Sequence, residues 1–257
     1  SDLNVLTVSQ YQNLSTRQIA ALDSHQVFSM ESLDLQALSS AQVRALSLST
    51  ITGLDSTHIG MLSASQLAGL STAQLAAIET GDIGGISLTA ITGLTSLQIG
   101  ALSSEQVGAL SSDQLMVLTD VQMRGLTGAQ LAAIASSDLN AFTAGQFQAF
   151  STAQIAGLSS EQIGKLESDD LAALTTAQIR ALGTEDLVIM DSADLGVMSA
   201  EQLGALTSAQ VQAIDSSDLN ALSATDLNEF GTAQIRALSQ SQIDGLATDT
   251  IGRLSPT

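Results

Sequence analysis

Five pairs of carboxylates, each pair three residues apart, are the first candidates for chemistry in this chain: Glu31/Asp34, Glu79/Asp82, Glu167/Asp170, Asp191/Asp194 and Asp215/Asp218. Hard oxygen ligands of this kind suit Ca²⁺. The last three pairs recur every 24 residues, as do Glu31, Asp55 and Glu79. If 24 residues made one turn of a solenoid, these carboxylates would line up as a ridge of ligands. No glycine-rich metal loop accompanies them, and acids at helix starts also serve as caps and dipole partners. The capping role is the simpler reading.

Other chemistry finds little to stand on. His25 and His58 are separated from each other and from acids at metal-ligand spacing, and read as surface residues. Serine and threonine are abundant, but no G-x-S-x-G elbow occurs and no histidine stands in register to serve as base. The "GGI" at 84–86 lacks the strand and the lysine of a phosphate-binding loop. Without cysteine there is no thiol nucleophile, disulfide framework or Cys-ligated metal. Phe142, Phe147 and Phe150 cluster closely, as core filling or as an exposed anchor for a partner, and core filling is preferred. The reading is of a protein that is not an enzyme and needs no cofactor.

Composition narrows the partners. The 257 residues carry 7 Lys and Arg against 26 Asp and Glu, a net charge of −19. A surface so poor in bases opposes nucleic acid and anionic lipid. No apolar run approaches the roughly 18 residues of a membrane span. Aromatics are only 2% of a chain that is 44% apolar, so aliphatic side chains must do the packing.

The elements that must position these groups are short and identical in length. From Thr7 the chain divides into 31 octads, ending at Leu254, without insertion or deletion. Positions 5 and 8 are apolar in all 31, and position 8 is Leu in 21. Position 7 is Ala or Gly in 22, position 4 is Gln in 19 and Asp in 8, and position 1 is Ser or Thr in 20. Apolar residues three apart share one helix face. Ser or Thr at position 1 with Gln at position 4 spells a capping box, complete in Thr175-Thr176-Ala177-Gln178. Five octads start instead with Glu31, Glu79, Ala135, Glu167 or Ala247, and each has a hydroxyl residue at position 2.

Charge supports the same unit. Of the 26 acids, 24 occupy positions 1 to 4, and six of the seven bases occupy positions 6 or 7. That order complements a helix dipole, at about 0.3–1 kcal/mol per group. A continuous helix is rejected, because a period of eight would wind the apolar stripe around the rod. A β-solenoid is rejected for want of period-two alternation. The prediction is an all-α solenoid of very short helices, one per octad, with position 1 as cap, positions 2 to 8 helical and position 6 solvated. Helices so short persist only by stacking. Positions 5 and 8 should form the core, and a small position 7 should allow close approach of backbones.

The array reads as one continuous domain over 1–257, whose principal partners are its own neighbouring repeats. "AQLAAIASSDLNAF" at 129–142 returns as "AQVQAIDSSDLNAL" at 209–222, the mark of a duplicated ten-octad block. Ser1 to Leu6 reads as the tail of an octad, and Ser255-Pro256 as the start of another with Pro at the first helical position. A segment of a longer array is therefore expected.

"LTTAQIRAL", "LSSEQVGAL" and "LSTAQLAAI" resemble the LTTAQ-type octapeptide tracts of very large secreted or surface proteins of proteobacteria, some of them adhesins or RTX-like. The resemblance covers essentially the whole chain, although the nonapeptide GGxGxD repeats of RTX proteins are missing from it. It implies an extracellular or cell-surface location and a non-catalytic stalk, spacer or spring. The alternatives are a solenoid that binds a peptide, glycan or other cell-surface ligand, and a spacer stiffened by Ca²⁺.

Overall fold

The structure, a computed structural model, describes residues 2–254. The Ser255-Pro256 step lies outside the described residues. Among the described residues there is no strand, and each complete octad but 79–86 carries one short α-helix. The predicted all-α architecture is observed.

A typical octad begins with an extended cap residue, such as Ser39 at φ −68° and ψ 160°, followed by the helix Ser40–Ala45. The helices run from four to six residues, as in Leu48–Ile51 and Val8–Asn13. Position 8 departs from expectation. It is not a helical residue: where the helix reaches position 7 it is the C-terminal cap, and Leu38, at φ −66° and ψ 135°, is extended, while elsewhere the cap falls at position 6 or 7, as at Thr52 and Ala21. Two extended residues in succession, position 8 and the next position 1, are what reverse the chain. The position-8 N–H closes the last turn by donating to the position-5 carbonyl, as Leu70 does to Leu67. No described residue has positive φ. The reversal therefore needs no left-handed glycine cap of the kind that ends many helices.

The octad 79–86 is the exception. It forms only a 3₁₀ turn, Ile83–Gly85, after Asp82. Gly81, Gly84 and Gly85 weaken helix propensity there. Nor do the hydroxyls at position 2 rescue the poorly capped octads. Glu31, Ala135, Glu167 and Ala247 accept no capping bond on their side chains, and Ser32, Ser136, Ser168 and Thr248 are already the first helical residues.

The chain comprises two compact units, Ser1–Ile134 and Ala135–Thr257. Within the first, each helix packs on the helix three octads further on: Thr16–Ala20 on Ser40–Ala45, and that on Ala64–Gly69. Within the second, Ala144–Ala149 packs on Ser168–Ala173, and Thr184–Ile189 on Ser208–Ala213. Side-chain bonds between turns join residues 25 to 31 apart. One turn is therefore three octads and part of a fourth.

Positions 5 and 8 form the core of each unit, from Ile19 and Val27 to Leu222 and Leu227. Burying each such side chain contributes about 1.5–3 kcal/mol, which a helix of this length cannot supply by itself. Ile243 and Ile251, in the last two octads, remain exposed. Position 7 is small for a visible reason. A Cβ on Gly93 would stand 2.6 Å from the carbonyl oxygen of Ala64, three octads earlier at position 2. Position 6 is largely exposed, as at Arg44, Ala68 and Gln148.

Candidate functional site

The side chain repeated most faithfully at the interface between turns is the position-4 glutamine, and it is buried. Gln42, Gln66, Gln130, Gln178 and Gln210 are each only 1–3% exposed. The oxygen does what the capping box requires: Thr175 N–H donates to Gln178 Oε1 at 2.8 Å, while Gln178 N–H donates to Thr175 Oγ1 at 3.3 Å. The amide nitrogen does something the octad does not reveal. Gln178 Nε2 donates to the carbonyls of Phe147, at 2.7 Å, and Phe150, at 2.8 Å. Those are positions 5 and 8 of the octad four places earlier. Gln122 reaches Ile91 and Leu94, both at 2.8 Å, and Gln210 reaches Ile179 and Leu182 in the same way.

These bonds settle where the backbone groups go. A helix leaves its last carbonyls without intrahelical partners, and burying them unpaired is costly. Here one glutamine caps the start of its own helix and the end of another. Each buried amide replaces water at both ends, so the bond is a structural joint between turns.

Octads without glutamine show what else can fill the place. Thr50 Oγ1 donates to Leu22 O at 3.2 Å. His58 is not the surface residue that the sequence suggested. It is 8% exposed, with Nδ1 2.6 Å from Asp55 Oδ1 and Nε2 3.0 Å from Phe28 O. Its ring lies 4.8 Å from that of Phe28. Both partner oxygens only accept, so both contacts are hydrogen bonds only when both ring nitrogens carry hydrogen. His25 is exposed, with Nδ1 3.0 Å from Ser29 Oγ. Asparagine at position 6 adds a second kind of clip: Asn220 donates to Gly245 O at 2.9 Å and accepts from Ala247 N–H at 2.8 Å.

The acid pairs divide by position. The position-1 members Glu31, Glu79, Glu167, Asp191 and Asp215 are exposed. The position-4 members lie inward: Asp34 and Asp170 are buried, and Asp82, Asp194 and Asp218 are half-buried. Burial, followed by the Glu31 carboxylate, holds Asp34 above the usual carboxylate range. Burial and then the Glu167 carboxylate push Asp170 up to about 6, in spite of a hydrogen bond from the Glu167 backbone. Burial likewise raises Asp194 and Asp218. Asp218 is raised also by Asp215, Asp191 and Asp194, so two of the 24-residue-spaced pairs are electrostatic neighbours. Asp34 and Glu31 also act outside their octad: after burial, they raise the Tyr11 hydroxyl three octads earlier. Among the described residues, no three His, Asp or Glu side chains are gathered so that they could hold a metal ion.

Phe142, Phe147 and Phe150 fill the core, with ring centroids 5.9–6.0 Å apart in edge-to-face pairs. Two open grooves of about 320 Å³ occur at the same register, one beside Arg44, Ser71 and Leu97, the other beside Val188, Asp215 and Ser241. Their equivalence makes them products of the repeat and not individual sites. No helix among the described residues is long and apolar enough to cross a membrane.

Comparison with known families gives one result. The sequence model described as the ALTTAQ repeat matches residues 27–64, 75–112, 131–168, 163–193, 187–224 and 221–256. No curated protein matches the chain.

Proposed function

Since the chain belongs to the ALTTAQ repeat family, we propose that this structural repeat region serves as a non-catalytic spacer or spring in a secreted or cell-surface bacterial protein. The observation behind this reading is the sameness of the joints. The same glutamine bond recurs in both units, at Gln66 and Gln122 and again at Gln178 and Gln234. Load applied along such an array meets a series of similar joints, each able to open without the rest, as in other repeat arrays. The extracellular setting rests on the resemblance of the octads to surface-protein tracts.

Single-molecule pulling of the full chain tests the mechanical role. Extension in many small steps, each releasing a few octads, is the expected record. One abrupt rupture of the whole chain would rule out a spring.

A second reading, a module that binds a peptide or a cell-surface glycan, draws on the two grooves. Both are lined by cap hydroxyls and glutamine amides. An array of peptides and glycans tests it, and binding abolished by Leu97→Asp would favour it over the spacer.

A further inference from the structure

Eight octads place aspartate where nineteen place glutamine, and six of the eight lie in the second unit: Asp138, Asp170, Asp186, Asp194, Asp218 and Asp226. The exchange keeps half of the joint. A carboxylate oxygen still accepts the position-1 N–H, as Gly183 N–H to Asp186 Oδ2 at 2.8 Å and Asp191 N–H to Asp194 Oδ2 at 3.1 Å show. The other half is lost, because a carboxylate has nothing to donate. Asp170 shows the loss most clearly. It is 7% exposed, and its Oδ2 is buried with no hydrogen-bond partner. In the glutamine octads the corresponding amide bonds the carbonyls 28 and 31 residues earlier. For Asp170 those carbonyls belong to Phe142 and Leu139.

We propose that Asp170 is a proton-operated latch between turns of the second unit. Uncharged, the carboxyl donates its single O–H to one of the two carbonyls that a glutamine amide would take. Ionised, it presents lone pairs to acceptors and the joint stays open. The side chain is one methylene shorter than glutamine, so closing it draws the turns together.

The surroundings favour the uncharged form. Glu167 and Asp169, on the same octad, both raise Asp170. The octad 143–150 packed against it carries no titratable group, and the octad 135–142 carries Asp138. The octads ahead of it bring Asp191, Asp194 and Glu201. The nearest bases in sequence are Lys165, whose ammonium is paired with Glu161, and Arg180, which is exposed. With its folded value raised to about 6, Asp170 contributes stability in full below the unfolded carboxyl range and loses it as the pH rises through that value.

The test uses the full chain. Carbon-13 carboxyl titration, with Asp170 identified by the signal lost in Asp170→Asn, should show it titrating well above the exposed acids. Urea midpoints should rise between about pH 8 and about pH 5, with each unit of elevation worth tenfold in the folding constant. Asp170→Gln should raise the midpoint at the higher pH and flatten the rise. Asp170 titrating with the exposed acids, or Asp170→Gln retaining the full pH dependence, would overturn the latch. The wild-type titration decides the matter even if Asp170→Gln fails to fold.

Discussion

Gln178 Nε2 lies 2.7 Å from the carbonyl oxygen of Phe147, thirty-one residues earlier, and both atoms are buried. The bond fixes the register of one turn on the next. Its other end holds the start of the helix Thr176–Ile179. A single side chain therefore couples local and non-local order.

Removing that side chain should be costly out of proportion to its size. Gln178→Ala leaves two buried carbonyls and one cap N–H unpaired, at about 1–3 kcal/mol for each group left unsatisfied. Gln178→Glu keeps the cap but sets a carboxylate against two carbonyl oxygens, and should be at least as damaging at neutral pH. Urea unfolding measures both. A loss below about 0.5 kcal/mol in either variant would contradict the joint.

Two glycines should respond in opposite directions to the same change. Gly93→Ala forces a methyl to within 2.6 Å of the Ala64 carbonyl oxygen and should destabilise by about 1–3 kcal/mol. At Gly196, in the helix Ser192–Gly196, an added Cβ meets nothing within 4 Å. Alanine there should stabilise by about 0.5–1 kcal/mol. Paired thermal melts check the signs.

The pH dependence should favour mild acid. Asp34, Asp170, Asp194 and Asp218 are all raised by burial, so their contributions are present below the unfolded carboxyl range and decline as the pH climbs. Asp55 is lowered, chiefly by the His58 backbone N–H, and works the other way. Its contribution is present above the unfolded range and is lost as the pH falls through its folded value. The melting temperature should peak at about pH 4–5, between the two groups. Relief of self-repulsion in a chain of net charge −19 acts in the same sense on the alkaline side. A peak at neutral or higher pH would contradict the assignment.

Calcium should leave the fold unchanged. Each acid pair offers one exposed carboxylate, while its partner is turned inward. Melting temperatures in chelator and in millimolar Ca²⁺ should coincide. A rise with Ca²⁺ that is abolished by Asp191→Asn and Asp215→Asn would instead establish a metal-stiffened ridge.

Much of this structure was legible in the octad because most of its causes lie within eight residues. Thr175 and Gln178 announce their own capping box. Leu and Ile at positions 5 and 8 announce the core, and the Phe142, Phe147 and Phe150 cluster follows the same rule. What stayed hidden depends on the pitch of the turn. The amide of Gln178 looks solvent-bound until the residues 28 and 31 places earlier are brought to it. His58 reads as a surface residue for the same reason: its burial follows from occupying the glutamine place, which no single octad shows. Position 8 reads as helical because it completes the apolar stripe, but the chain turns there, and Leu38 is both extended and buried.

The absence of positive φ among the described residues has a consequence for how such a gene can change. Because no special linker residue separates one octad from the next, unequal crossing-over by any whole number of octads yields a chain in which a glutamine with four octads before it still meets the carbonyls at the end of an earlier helix, as Gln178 meets those of Phe147 and Phe150. Copy number is thereby free to drift, whereas a slip of any other length would strand each amide against the wrong atoms.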